Sequence, residues 1–336
     1  MRRWIGTVAA LCALGGIAAH ANDSTAENGA GGLVLTRTDA IDMVSEDLYV
    51  SPSRIRVRYV FRNRTAQPVR TTVAFPLPDR NLAELGYGDS AWPSDFSTRV
   101  DGRAIPLQVE RRALLGGTDH SALLRELNVP IAADNIVVAV AEAVARLTPA
   151  QRQRLEQLGL VEAIEYDVGS GMRRDYEPRW TVRETWHREQ VFPPGRDVVV
   201  EHQYTPGTGG TVTTGLANRD YRESEGGREQ IATYCIDDDF LAGVDRLGRQ
   251  SGREGALYAT IAEQWVSYIL TTGANWRSPI GEFRLVVDKE RPENLVSFCG
   301  EGVRRIGPTQ FEMRRRNWRP TRDLRVLVLR PYRYDE

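Results

Sequence analysis

The sequence predicts a mainly β protein, built as two antiparallel β-sandwich-like domains with a short helical segment between them. Three observations carry this expectation. Residues 53–63 (SRIRVRYVFRN) alternate: Ile55, Val57, Tyr59 and Phe61 take one face, and Arg54, Arg56, Arg58 and Arg62 mostly the other. That is the period of a half-buried antiparallel strand with a charged outer face. Short strand-like runs recur at close spacing in both halves of the chain, punctuated by Gly, Pro and Asn. Between the halves, residues 119–160 change to Ala, Leu and Val at helical spacing.

Taken in order, Met1-Arg2-Arg3 is a basic start, and Trp4 to Ala19 is an uncharged apolar and small-residue run. Ala19-His20-Ala21 then fits an A-x-A cleavage site, so residues 1–21 read as a Sec-type signal peptide cut after Ala21. The run is shorter than a membrane span requires. The expected location is therefore the periplasm, or outside the cell after secretion, with no membrane span left after cleavage. Residues 22–32 (NDSTAENGAGG) are polar and Gly-rich and are expected to be a flexible leader. The N-terminal β-domain is expected over 33–115, with strands at 41–50, 53–63 and 69–75 and a hairpin turning at Asp101-Gly102.

A helical insertion or bridge is expected over 116–165. Thr148-Pro149-Ala150-Gln151 has the form of a capping box with proline at the first helical position, and Gly159 is a natural stop. The C-terminal β-domain is expected over 166–336, with strands near 180–191, 197–205, 264–270, 282–287, 295–299, 311–315 and 324–329. Residues 206–210 and 246–253 read as loops, with one short Asp-capped helix within 237–247. Without Cys12 of the signal segment two cysteines remain, Cys235 and Cys299. In an oxidising compartment they are expected to form one disulfide.

Composition narrows the function classes. Lys and Arg number 44 against 45 Asp and Glu, which argues against a nucleic-acid partner. No Gly-x-Ser-x-Gly elbow marks a hydrolase nucleophile. Glu184 and His187 are three apart in a period-2 segment and so point to opposite faces, which does not suit a zinc pair. Asp237-Asp238-Asp239 lacks the alternation and glycine of a calcium loop and fits a helix start. No catalytic, metal or cofactor-binding residue is assigned, and no cofactor is expected. The aromatics suggest one candidate binding surface, formed by Trp180, Trp186, His187, His202 and Tyr204. By parity Trp180 and Trp186 share a face, and so do His202 and Tyr204.

An ordered series of segments carries a family resemblance. It begins NDSTAENGAGGL (22–33), SEDLYVS (45–51), VRYVFRN (57–63) and VAFPLPD (73–79). It continues with RWTVRETWHREQVFPPG (179–195), VEHQYTPGTGG (200–210), YCID (234–237), LTTGANWRSPIGEF (270–283), LVVDKERPENLVSFCGEG (285–302) and PTRDLRVLVL (320–329). The series resembles the bacterial exported family called domain of unknown function 4424, over nearly the whole chain after the signal segment. The resemblance implies an envelope or secreted protein of mostly β structure and implies no reaction. The expected role is a non-enzymatic protein- or glycan-binding module of the cell envelope. The alternatives are a hydrolase acting on envelope material, with two carboxylates, or His187 or His202 with a carboxylate, converging in a cleft, and a structural or assembly factor.

Overall fold

The computed structural model describes residues 23–29, 32–84, 93–167, 169, 171–251 and 260–332. The expected signal peptide, residues 1–21 with cleavage after Ala21, lies outside the described residues. The first strands are β1 (Ser24–Gly29), β2 (Gly32–Thr36), β3 (Ile41–Val50), β4 (Ile55–Asn63), β5 (Val69–Pro76) and β6 (Arg80–Asn81). Strands β7 (Ser94–Val100), β8 (Arg103–Ala104), β9 (Gln108–Leu115) and β10 (Thr118–Asp119) lead into helices α1 (Ser121–Glu126), α2 (Ile136–Ala145) and α3 (Pro149–Gln157). Next come β11 (Val161–Asp167), β12 (Met172–Pro178), β13 (Thr181–Phe192), β14 (Asp197–Thr205) and β15 (Gly209–Thr211). A second helical group, α4 (Arg219–Glu223), α5 (Glu225–Tyr234) and α6 (Asp238–Ser251), precedes β16 (Thr260–Tyr268) and β17 (Ile280–Asp288). The described chain ends with β18 (Leu295–Phe298), β19 (Arg304–Arg305), β20 (Gln310–Trp318) and β21 (Leu324–Tyr332).

The protein is mainly β, with several antiparallel sheets and few helices, as expected. The partition of its strands differs from the expected 33–115 and 166–336 division. An eight-stranded sheet runs β19-β20-β17-β3-β4-β14-β7-β8, and a second runs β10-β9-β13-β5-β1-β2 with β6 beside β13. Each sheet takes strands from both halves of the chain. β3 pairs in parallel with β17, joining 45–50 to 282–287, and β13 fills the gap between β5 and β9. The physical reason lies in the core. Val57, Tyr59 and Phe61 of β4, Val73 and Phe75 of β5, Phe192 of β13, Val200 of β14 and Leu285 of β17 all bury into one cluster. Neither half supplies both inner faces by itself.

A four-stranded sheet, β15-β16-β21-β18, packs into the same layer system. Val326 and Val328 of β21 enter the main core, while Leu327 and Leu329 join α6 residues Phe240 and Val244 on the other side. A strand buried on both faces explains the unbroken VLVL run. The expected short helix within 237–247 extends as α6 through Ser251, so the loop expected at 246–253 is helical over 246–251. Asp237 caps it as expected, its Oδ1 accepting the Phe240 N–H at 2.8 Å.

Helices α1 to α3 lie within the expected 116–165 stretch but fill only 121–157, and its ends are strand, β10 at Thr118–Asp119 and β11 from Val161. Thr148 and Gln151 make the reciprocal capping box, with Pro149 at the first helical position. Gly159 takes φ +70°, the left-handed conformation that closes the helix. Helices α1 to α3 cover a separate cluster with Ala113 of β9, Tyr176 of β12 and Trp180 just ahead of β13.

The expected flexible leader is corrected by the structure. Over 23–26 it is buried structure, and β1 pairs with both β2 and β5. Its polar side chains find partners there. Thr25 Oγ1 donates to the Thr36 carbonyl at 2.7 Å, and Ser24 Oγ accepts from Asn275 at 3.0 Å. A buried polar strand is tolerated once its groups are bonded. Cys235 and Cys299 form the expected disulfide, tying the end of α5 to the end of β18 with Cα atoms 5.0 Å apart.

Candidate functional site

The outer face of the eight-stranded sheet carries a row of charges that crosses six adjacent strands. Strand register places Arg314 of β20 beside Arg284 of β17, Arg284 beside Asp47 of β3, and Asp47 beside Arg58 of β4. Arg58 lies beside Glu201 of β14, and Glu201 beside Arg99 of β7. The alternation of each strand puts these residues outside because their neighbours fill the core. Leu48, Val57, Tyr59, Val200 and Leu285 are all buried.

Tyr49, Arg56 and Gln203 stand in the next row. Together the rows line an open basin of about 660 Å³, bordered by Asp47, Tyr49, Arg56, Arg58, Arg99 and Glu201. Arg284 also lines it and is held in place by Glu312 at 2.8 Å and Asp47 at 3.1 Å. Hydrogen bonds from Arg314, Arg284 and Arg304 hold the Glu312 carboxyl well below the ordinary carboxylate range, so it stays charged. Toward the middle the pairing loosens. Arg58 Nε is 3.9 Å from Glu201, Arg99 reaches the Gly102 carbonyl at 3.3 Å, and the Arg56 guanidinium lies 4.4 Å over the Tyr49 ring. Tyr49 is fixed by donating to Asp288 at 3.0 Å. Burial and the Asp288 carboxylate push its hydroxyl above the ordinary phenol value, so it remains a neutral donor.

The residues expected to form an aromatic surface fall elsewhere, and most are inside. Trp180 is fully buried under the helical insertion, its indole N–H donating to the Ile131 carbonyl at 3.1 Å. Tyr204 and His202 share a face of β14 as parity predicts, but that face is the inner one. Trp186 is half-buried between the sheets. It stacks on Phe96 at 4.8 Å, and Phe96 stacks on Tyr204 at 5.0 Å. The structure thus brings Trp186 and Tyr204 together through Phe96 and leaves Trp180 apart. His187 is half-buried at the adjacent strand position, where alternation turns it away from Trp186. Beside Trp186 and Phe96 a notch of about 370 Å³ opens toward Ile105, Pro106 and Leu107.

His202 does meet a carboxylate. Its Nε2 is 3.1 Å from Asp23 Oδ1, and its Nδ1 is 2.8 Å from Thr98 Oγ1. Arg188 completes the group, 3.5 Å from the other Asp23 oxygen. All four residues are buried beneath the sheets, so this cluster ties the residue just ahead of β1 to β7, β13 and β14 rather than facing a cleft. Sequence reading noted Arg56 and Arg58 as outward and singled out none of Asp47, Tyr49, Arg99, Glu201 or Arg284. The available signal was the same alternation in each strand, polar at 47 and 49, at 201 and 203, and at 282 and 284.

The family described as "Domain of unknown function (DUF4424)" matches residues 21–327. No curated protein matches the chain. Among solved structures, a protein of Legionella pneumophila provisionally described as nutrient-binding aligns with 92% of this chain and 70% of its own. Its identity is 15% and its TM-score 0.44. The M1 zinc metallopeptidase of Deinococcus radiodurans aligns with 87% of this chain and 43% of its own, at 8% identity and a TM-score of 0.24. The chain therefore spans less than half the length of that peptidase. Among the described residues no helix is long and apolar enough to cross a membrane.

Proposed function

Given that this chain belongs to the family described as domain of unknown function 4424, we propose that it is an exported binding module of the cell envelope. Its ligand surface is the outer face of the eight-stranded sheet, and its ligand is anionic. The observation that carries this reading is the basin in which Arg56, Arg58 and Arg99 are solvent-facing and loosely paired. A ladder serving only to neutralise itself would close its ion pairs, whereas Arg58 and Glu201 stay 3.9 Å apart. Guanidinium is weakly hydrated and forks onto carboxylates, which suits capture of an anionic group from water. Export is supported by the reading of residues 1–21 and by the disulfide, which belongs to oxidising compartments.

The test is retention on immobilised hyaluronan, a carboxylated polysaccharide, with elution by salt. The wild-type chain is expected to bind at low salt and elute as salt screens the contact. The triple variant Arg56→Ala, Arg58→Ala, Arg99→Ala is expected to pass through. Because such exposed pairs contribute only about 0–1 kcal/mol each, the variant should unfold at nearly the wild-type denaturant midpoint. Flow-through of the wild-type chain, or equal retention of the variant, contradicts the proposal.

A further inference from the structure

The spacing within the charge row says more about the ligand, and it rests on the binding face just proposed. From β17 to β7 the row reads Arg284, Asp47, Arg58, Glu201, Arg99. Guanidinium groups therefore stand on every second strand and carboxylates on the strands between. Neighbouring strands lie roughly 4.8 Å apart, so the backbone positions that carry successive arginines repeat at roughly 9.6 Å across the sheet. A ligand lying across the strands meets cation and acceptor in strict alternation.

We infer that the ligand is an acidic polysaccharide carrying one carboxylate on every second sugar, bound across the strands of the eight-stranded sheet. In an extended polysaccharide a two-sugar repeat spans a length of the same order as two strand spacings. Its carboxylates then fall on Arg58 and Arg99, while Arg284 at the end of the row is closed on Glu312 and Asp47. The neutral sugars fall on Glu201 between them and on Asp47 on the far side of Arg58; the ionised oxygens of these two acids are acceptor-only and suited to sugar hydroxyls. An acidic peptide does not fit the row. Extended chain carries one-face side chains every roughly 6.7 Å, which drifts out of phase with the guanidiniums within two repeats. A polyuronate with a carboxylate on every sugar fits no better, since half of its charges are driven against Asp47 and Glu201. The acids thus act as selectors, excluding uniformly charged polymers as much as they accept hydroxyls.

The experiment measures the affinity of the mature, disulfide-bonded chain for three probes of matched length. These are hyaluronan oligosaccharide (carboxylate on alternate sugars), oligogalacturonate (carboxylate on every sugar) and polyglutamate. Hyaluronan is expected to bind at least about tenfold more tightly than either of the others. The conservative variants Asp47→Asn and Glu201→Gln separate selection from simple charge. They make the face more positive, so bare electrostatics predicts tighter binding of every probe. Alternating recognition predicts that hyaluronan affinity falls several-fold while oligogalacturonate affinity rises. Equal affinity for the two glycans, abolished by Arg58→Ala, overturns the alternation and leaves the binding face standing. Preference for polyglutamate overturns the glycan assignment. Absence of binding to all three overturns both proposals.

Discussion

Replacing Asp23 with alanine is expected to lower the unfolding free energy by about 3–5 kcal/mol, the cost of breaking a buried ion pair by removing one partner. Asp23 is fully buried, with His202 at 3.1 Å and Arg188 at 3.5 Å on its two carboxylate oxygens. Its backbone carbonyl also accepts the Trp276 indole N–H at 2.7 Å. Without the carboxylate, Arg188 keeps its charge in the interior with its ion-pair partner gone. Urea unfolding of the mature chain measures the loss. A variant within about 1 kcal/mol of wild type would show that 23–26 is the loose leader its composition suggests.

The same residue sets an acid sensitivity. Burial pushes the Asp23 carboxyl up, but the His202 and Arg188 charges and hydrogen bonds together outweigh it and hold it below the ordinary value of 3.8. A depressed folded-state value gives stability that is fully present above that ordinary value. It is lost as pH falls through the depressed one. Wild type should therefore lose stability from about pH 4 downward. Asp23→Asn should lose less across that window, while starting from a lower plateau.

Removing the disulfide is the second large effect. The bond closes a loop with a sequence separation of 64. Chain-entropy reasoning assigns such a loop about 4 kcal/mol. The double variant Cys235→Ala, Cys299→Ala is expected to show that loss in urea. Binding at the sheet face should persist under conditions where the variant remains folded, since neither cysteine lines the basin. An unchanged unfolding midpoint would contradict the prediction.

The elements legible in the sequence are those with a local cause. Alternation in 55–63 gives β4 its buried and exposed faces, and Thr148 with Gln151 gives α3 its start. Cys235 and Cys299 are the two cysteines beyond residue 21, and they pair. What stayed illegible depends on partners far along the chain. Nothing near residue 47 announces residue 284, yet their parallel pairing places the Arg284 guanidinium on Asp47. The charge row exists only because six strands from both halves of the chain bring one charge each into it. Parity set His202 and Tyr204 on one face, but only the packed layers decide that this face is inward. The stretch 23–26 is mostly polar in composition, and its burial goes with hydrogen bonds to Thr36 and Asn275 that no local rule anticipates. Helix α5 was missed because Gly226 and Gly227 weaken its pattern. Gly227 packs so closely on the Tyr221 carbonyl that a Cβ would lie 1.9 Å from it.

The central claim, that the outer face of the eight-stranded sheet is the ligand surface, is tested most directly by arginine footprinting. The mature chain is treated with phenylglyoxal in the absence and presence of saturating hyaluronan oligosaccharide, and modified residues are mapped by mass spectrometry. The expected result is protection of Arg56, Arg58 and Arg99, with Arg152 and Arg154 on helix α3 reacting equally in both samples. Unchanged modification of the three sheet arginines at saturation, or protection confined to other faces, would contradict the claim.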